Sequence, residues 1–138
     1  MKNLITILFI GLIGFSVNAQ AKIKFKSETI DYGTIAKGAN GVRVFEFTNT
    51  GNEPLVISKV ASSCGCTIPK KPKAPILPGK TGKIEVKYDT NRVNPIRKTI
   101  TVMSNAETPT VALKIKGEVV DPSKTNLLEK KNKSIIQQ

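Results

Sequence analysis

The chain has 138 residues, with 22 Lys and Arg, 10 Asp and Glu and no His, for a formal net charge of +12. That length holds one domain, and without His there is no Ser-His-Asp triad, no Cys-His pair and no His-ligated zinc or haem. The absence of Trp and 5% aromatic residues argue against an aromatic sugar- or base-stacking platform, while 39% hydrophobic and 23% charged residues belong to a globular chain rather than a disordered or fibrous one.

Met1-Lys2-Asn3 is a short basic start, followed by an apolar run from Leu4 to Phe15 and the small residues Ser16-Val17-Asn18-Ala19. The run is about half the ~20 residues that a membrane-spanning helix needs. Val17 and Ala19 occupy the positions of an A-x-A-like cleavage site. The expectation is a secretory signal peptide over 1–19, cut after Ala19, with a cut after Ala21 as the alternative and no transmembrane anchor in the mature chain. No Cys follows the run, which excludes a lipoprotein anchor. Loss of Lys2 takes the net charge from +12 to +11, because all ten acidic residues lie beyond residue 19.

From 20 to 121 the chain reads as about seven strands punctuated by turns. Ile23 to Phe25, Thr29 to Ile35 and Val42 to Thr48 come first, and Leu55-Val56-Ile57 opens a fourth. Ile84, Val86 and Tyr88 alternate with Lys83, Glu85 and Lys87, a period of two with one wet face. Ile96, Ile100 and Val102 alternate in the same way with Arg97, Thr99 and Thr101, as do Val111, Leu113, Ile115 and Val119 with Ala112, Lys114, Lys116 and Glu118. Turn signals separate the runs at 37–41, 49–54, 77–80 and Asn94-Pro95. Strands with one apolar face must cover it with a second sheet, so the predicted fold is an all-β, immunoglobulin-like sandwich.

Two segments differ. Pro69, Pro72, Pro75 and Pro78 bar the stretch from Thr67 to Pro78 from any central strand, so it is read as an extended connection at an edge or between the sheets. From 122 to 138 the alternation stops and Lys124, Lys130, Lys131 and Lys133 face only Glu129. That segment reads as a basic, flexible polar tail, in which Leu127-Leu128 and Ile135-Ile136 offer at most a weak amphipathic helix.

Phe45-Glu46-Phe47-Thr48-Asn49-Thr50-Gly51, Pro54-Leu55, Ser63-Cys64-Gly65-Cys66-Thr67, Pro75-Ile76-Leu77-Pro78-Gly79, Tyr88-Asp89 and Ser104-Asn105 follow one another in an order that resembles the bacterial domain-of-unknown-function family DUF1573. The resemblance covers roughly Ile23 to Val120; Asn94-Pro95 departs from it, standing where that family carries a Gly-containing turn. What it implies is export and an immunoglobulin-like fold related to spindle- and hydin-type (ASH) and sperm-protein modules. It implies no established activity.

Cys64-Gly65-Cys66-Thr67 is the one candidate for chemistry, since these are the only two Cys. Outside the cytoplasm two thiols ordinarily end as a disulfide. Alternate residues of an extended strand lie about 6.6 Å apart, at the upper edge of a disulfide's span, and Gly65 is read as the residue whose free dihedrals close that gap. A three-residue loop returns only about 1.6 kcal/mol of chain entropy, so the pair is a poor staple and is expected to be strained and readily reduced. A local clip at a packed corner stands first. Thiol-disulfide exchange stands second, with Lys70, Lys71 and Lys73 as the cations that would favour thiolate. Cu(I) held by the two thiolates stands third; zinc wants four ligands, and an intermolecular disulfide stands last.

The same three lysines form the densest basic run, and with Lys83, Lys87, Lys114 and Lys116 they imply weak, salt-sensitive affinity for polyanions. No interleaved aromatics or reading motif accompany them, so no specific nucleic-acid recognition is expected. There is no glycine-rich phosphate loop, and no spacing among Asp31, Glu46, Glu53, Glu85, Asp89, Glu107, Glu118 and Asp121 marks a catalytic pair. Asp89 is expected to end a strand by bonding turn backbone. The sequence therefore points to a secreted, non-catalytic envelope module with a protein partner and no cofactor, and, as the alternative, to a redox or soft-metal protein acting through Cys64 and Cys66.

Overall fold

The computed structural model describes residues 16–136, so the apolar run at Leu4 to Phe15, and with it most of the expected signal peptide, lies outside the described residues. Eight strands and one helix follow in order: β1 (Ile23–Phe25), β2 (Thr29–Ala36), β3 (Val42–Asn49), β4 (Ile57–Ser62), β5 (Thr67–Lys70), β6 (Thr81–Tyr88), β7 (Pro95–Ser104), β8 (Thr110–Val120) and α1 (Pro122–Ile136). They form two four-stranded sheets, ordered β1-β3-β6-β5 and β2-β8-β7-β4. β2 runs parallel to β8, and the other pairings between these strands are antiparallel. This is an immunoglobulin-like sandwich in which the chain changes sheets at every connection from β1 to β5 and again between β6 and β7.

The period of two in the sequence becomes the inner face of each sheet. Phe45, Phe47, Ile84, Val86 and Tyr88 are buried from the first sheet, and Ile57, Ile96, Ile100, Val102, Leu113, Ile115 and Val119 from the second. Burying such aliphatic and aromatic side chains gives roughly 1.5–3 kcal/mol each, which is what holds two sheets with wet outer faces together. On the outer face of the first sheet Glu46 lies between Lys26 and Lys83, at 3.8 and 3.9 Å, and Glu85 pairs with Lys70 at 3.3 Å. These are exposed pairs and contribute little.

The eighth strand is the addition to the sequence reading. β5 begins the proline-rich stretch, and it lies at the edge of its sheet, paired on one side with β6 alone. Pro69 is tolerated there because an edge residue needs no N–H on its open side.

The segment after Asp121, read as a polar tail, is a helix in the structure, and the described side chains on it are exposed. Asp121 caps it: its carboxylate accepts from the Ser123 amide at 3.1 Å and the Ser123 hydroxyl at 2.6 Å, and Pro122 takes the first helical position. These are strong local start signals. The hydrogen bonds to Ser123, main among the causes, hold the Asp121 carboxyl below its usual range.

Strand direction sorts the loops between two poles. At one pole the residues that carry the motif order are structural. Asn49 is fully buried; its amide group donates to the carbonyls of Glu53 (2.7 Å) and Ile76 (2.9 Å), and its side-chain oxygen accepts from the Gly51 and Lys22 amides. Asn105 does the same for Pro54 and Val56. The other pole gathers 37–41, 63–66, 89–94 and the start of α1.

Candidate functional site

β4 ends where the chain must leave the second sheet. The Ser63 amide donates to the Thr99 carbonyl at 3.0 Å, the Thr99 amide donates back to the Ser63 hydroxyl at 3.2 Å, and the Cys64 amide donates to the Ser62 hydroxyl. A turn through Gly65 and Cys66 then delivers the chain to β5, where the Asp89 amide donates to the Cys66 carbonyl at 2.9 Å. Cys66 is 7% exposed and belongs to the core, whereas Cys64 is only partly buried and packs against it.

The two cysteines lie side by side, with Cα atoms 5.4 Å apart and sulfurs in contact. The separation expected from an extended strand does not apply, because the chain turns here. At 5.4 Å the backbone sits well inside the range a disulfide spans, so the expected strain is not required by it. Gly65 is not the cause of the turn either. Its φ is not positive, and a Cβ built on it would meet nothing within 4 Å. Gly65 itself is exposed between the two cysteines.

Two groups address the sulfurs. The Cys66 amide donates to Sγ of Cys64 at 3.3 Å, and the Thr67 hydroxyl lies 3.9 Å from each sulfur while Thr67 itself is 3% exposed. The lysines singled out in the sequence are engaged elsewhere. Lys70 pairs with Glu85, and the Lys71 ammonium donates to the carbonyls of Ile57 and Ser58, both at 3.2 Å, tying the two sheet edges together; Lys73 is exposed. A lysine that the sequence reading passed over is closer in register. Lys98 falls on the inward-facing side of β7 between Ile96 and Ile100, half-buried, one residue from the Thr99 that pairs with Ser63. The signal was a Lys in the apolar phase of an alternating strand.

Cys66 also lines an open cleft of about 560 Å³, together with Asn40, Gly41, Ile68, Lys87 and Asp89. Its walls are stitched. The Gly41 carbonyl accepts from the Tyr32 hydroxyl at 2.8 Å and from the Tyr88 amide at 3.0 Å, and a Cβ at Gly41 would collide with the Tyr88 carbonyl oxygen. The Thr90 hydroxyl donates to the Ala39 carbonyl at 2.7 Å. Arg43 lies 4.3 Å over the Tyr32 ring, and the rings of Tyr32 and Tyr88 meet edge to face. Burial pushes both tyrosine hydroxyls up from their usual value; Arg43 partly opposes this at Tyr32, and Arg92 at Tyr88. Asn94 accepts from the Tyr88 hydroxyl at 3.1 Å. Asp89 ends β6 as expected, accepting from the Asn91 amide.

Among the described residues no three or more His, Cys, Asp or Glu side chains gather to hold a metal, and no helix is long and apolar enough to cross a membrane.

The model of the family described as proteins of unknown function, DUF1573, matches residues 23–119. A protein of unknown function from Porphyromonas gingivalis W83 is similar at 21% identity and a TM-score of 0.64 over 72% of this chain and 48% of that one. This chain thus spans about half the length of that protein. The ASH/PapD-like domain 7 of human CEP192 is 10% identical, with a TM-score of 0.61 over 75% of this chain and 88% of that domain. The CsuC–CsuE chaperone–tip adhesion subunit pre-assembly complex of Acinetobacter baumannii is 12% identical, with a TM-score of 0.51 over 73% and 57%. These likenesses are likenesses of fold. No curated protein matches.

Proposed function

The chain belongs to the DUF1573 family, and from that premise we propose that it is an exported binding module of the bacterial envelope whose protein partner docks over the pole around Cys66. The observation that carries this reading is the cleft of about 560 Å³, a size in the range of ligand sites. It is built from three loops on a rigid sandwich, with Ile68, 60% exposed, beside a polar rim. Loops held by a rigid scaffold are where binding usually resides. Similarity to a fold found in a chaperone–subunit complex supports a protein partner. Export rests on the run from Leu4 to Phe15 and the small residues before Gln20. In that compartment the cysteine pair is read as a disulfide.

Photo-crosslinkers placed at Asn40 and Ile68, with Lys24 at the opposite pole as control, test the docking face in intact cells. Adducts from the first two positions alone support it; equal yields from Lys24, or none at all, overturn it. The polyanion affinity expected from the basic surface is a separate, non-specific property. It is recognised by its steep loss between low and physiological salt.

The second reading, redox or soft-metal chemistry at Cys64 and Cys66, is favoured by one observation, the Cys66 N–H aimed at the Cys64 sulfur. Two thiolates suit Cu(I) when the pair is reduced.

A further inference from the structure

We propose that the cysteine pair is an asymmetric thiol-exchange site, in which Cys64 is the sulfur attacked by an external thiol, Cys66 is the leaving sulfur and Thr67 is a positioning residue. The inference rests on the export and the oxidised pair proposed above, and it goes beyond them by assigning a different role to each sulfur and naming a substrate class, a protein dithiol.

Three observations set the roles. Cys64 is the more accessible of the two, since Cys66 is 7% exposed and buried in the core while Cys64 only packs against its edge. Gly65 between them is exposed, and apart from the two cysteines no residue lies within 4 Å of where its Cβ would be. The backbone then treats the sulfurs unequally. Sγ of Cys64 accepts the Cys66 N–H at 3.3 Å, and the Thr67 hydroxyl lies 3.9 Å away. Hydrogen bonds to the charged form favour that form, so these donors stabilise Cys64 as a thiolate. Cys66 shares only the Thr67 hydroxyl, at 3.9 Å, and sits in apolar surroundings that disfavour its thiolate. The charged residues on the elements packed around the loop are Lys59 on β4, Arg97 and Lys98 on β7, Lys70 and Lys71 at and beyond the end of β5, Lys83, Glu85 and Lys87 on β6 and Asp89 after it, where Glu85 is paired with Lys70 and Asp89 with Arg92.

The exchange balances as follows. A thiolate of the dithiol attacks Sγ of Cys64, the Cys64–Cys66 bond breaks, and Cys66 leaves as a thiolate that takes up a proton. The second thiol of the dithiol, deprotonated, attacks the external sulfur of the mixed disulfide. Cys64 departs as the thiolate held by the Cys66 amide and Thr67. Two electrons have passed to the pair, and the dithiol has become a disulfide.

Intact mass of the purified full-length exported protein first reports whether the pair is oxidised. Two free thiols would overturn both the oxidised-pair reading and this inference. With an intact disulfide, glutathione is the probe. The Cys66→Ser variant is expected to form a mixed disulfide with oxidised glutathione at least about tenfold faster than Cys64→Ser, since rate follows thiolate fraction and access. In the reduced wild-type protein, iodoacetamide should label Cys64 before Cys66, with a lower pH midpoint. Thr67→Val should raise that midpoint and Thr67→Ser restore it, a pattern that loss of packing alone does not produce. If Thr67→Val fails to fold, Gly65→Val supplies the second arm: it should slow glutathione attack severalfold while leaving the urea midpoint unchanged. Equal labelling of the two cysteines, or faster reaction at Cys66, overturns the assignment and leaves the binding reading standing.

Discussion

The Tyr32 hydroxyl donates to the carbonyl oxygen of Gly41 at 2.8 Å, and the same oxygen accepts the Tyr88 amide at 3.0 Å. One carbonyl thus joins a strand of the second sheet to two strands of the first, directly beneath the cleft. Tyr32→Phe removes the cross-sheet donor and leaves the Gly41 carbonyl still paired with Tyr88. A loss of about 1 kcal/mol in urea unfolding is expected.

The same contact carries a pH dependence. Burial, partly opposed by Arg43 at Tyr32 and by Arg92 at Tyr88, holds both phenolic protons more tightly in the folded protein. Unfolding therefore releases protons at alkaline pH. The contribution is complete below about pH 10 and is lost as pH rises through the folded values. The urea midpoint of the wild-type protein should fall across that window, and the fall should be shallower in Tyr32→Phe. Equal slopes would show that the Tyr32 proton is not linked to folding.

At the opposite pole, Asn49 offers two donors and an acceptor with no exposure to water. Asn49→Ala leaves the carbonyls of Glu53 and Ile76 and the Gly51 amide without these partners, and about 3 kcal/mol of stability should be lost. Asn49→Asp should be worse. It turns an oxygen toward two carbonyl oxygens and buries a charge. A loss below about 1 kcal/mol for the alanine variant would mean that water takes over the bonds.

Lys71 is predicted to act as a tie between sheets. Its ammonium reaches two β4 carbonyls from the end of β5, so Lys71→Met should cost about 1 kcal/mol. The exposed Lys73→Met serves as the control and should stay within about 0.5 kcal/mol of wild type. Equal effects from the two would assign the loss to net charge instead.

Gly65→Ala tests the turn itself. Because φ is not positive and the space is open, the thermal midpoint should move by no more than about 0.5 kcal/mol would produce. A large loss would restore the view that the glycine's dihedral freedom closes the pair.

Much of the fold was legible because a half-buried strand writes its burial into alternate residues. Ile84, Val86 and Tyr88, and Leu113, Ile115 and Val119, declare their inner face without reference to a partner. β5 was not legible as a strand because Pro69 marks only where a strand cannot be central, and an edge pairing depends on β6 being there to receive it. α1 was hidden for a different reason. Its described side chains are exposed, so it has no buried face to impose a helical period, and its start depends on the cap at Asp121. The cysteine motif was visible, but its geometry was not: spacing along an extended chain misjudged both the separation and the role of Gly65.

The sequence by itself determined two sheets with apolar inner faces, the turns between them, the limit of two thiols and the basic surface. These are local properties, set by side-chain chemistry and a period of two. Only the tertiary structure decided that buried Asn49 and exposed Asn105 each tie separate segments together and that Lys71 spans the sheets. Each of these depends on which strands cross which. Hydrogen bonds between residues far apart in the chain leave no periodic trace in it.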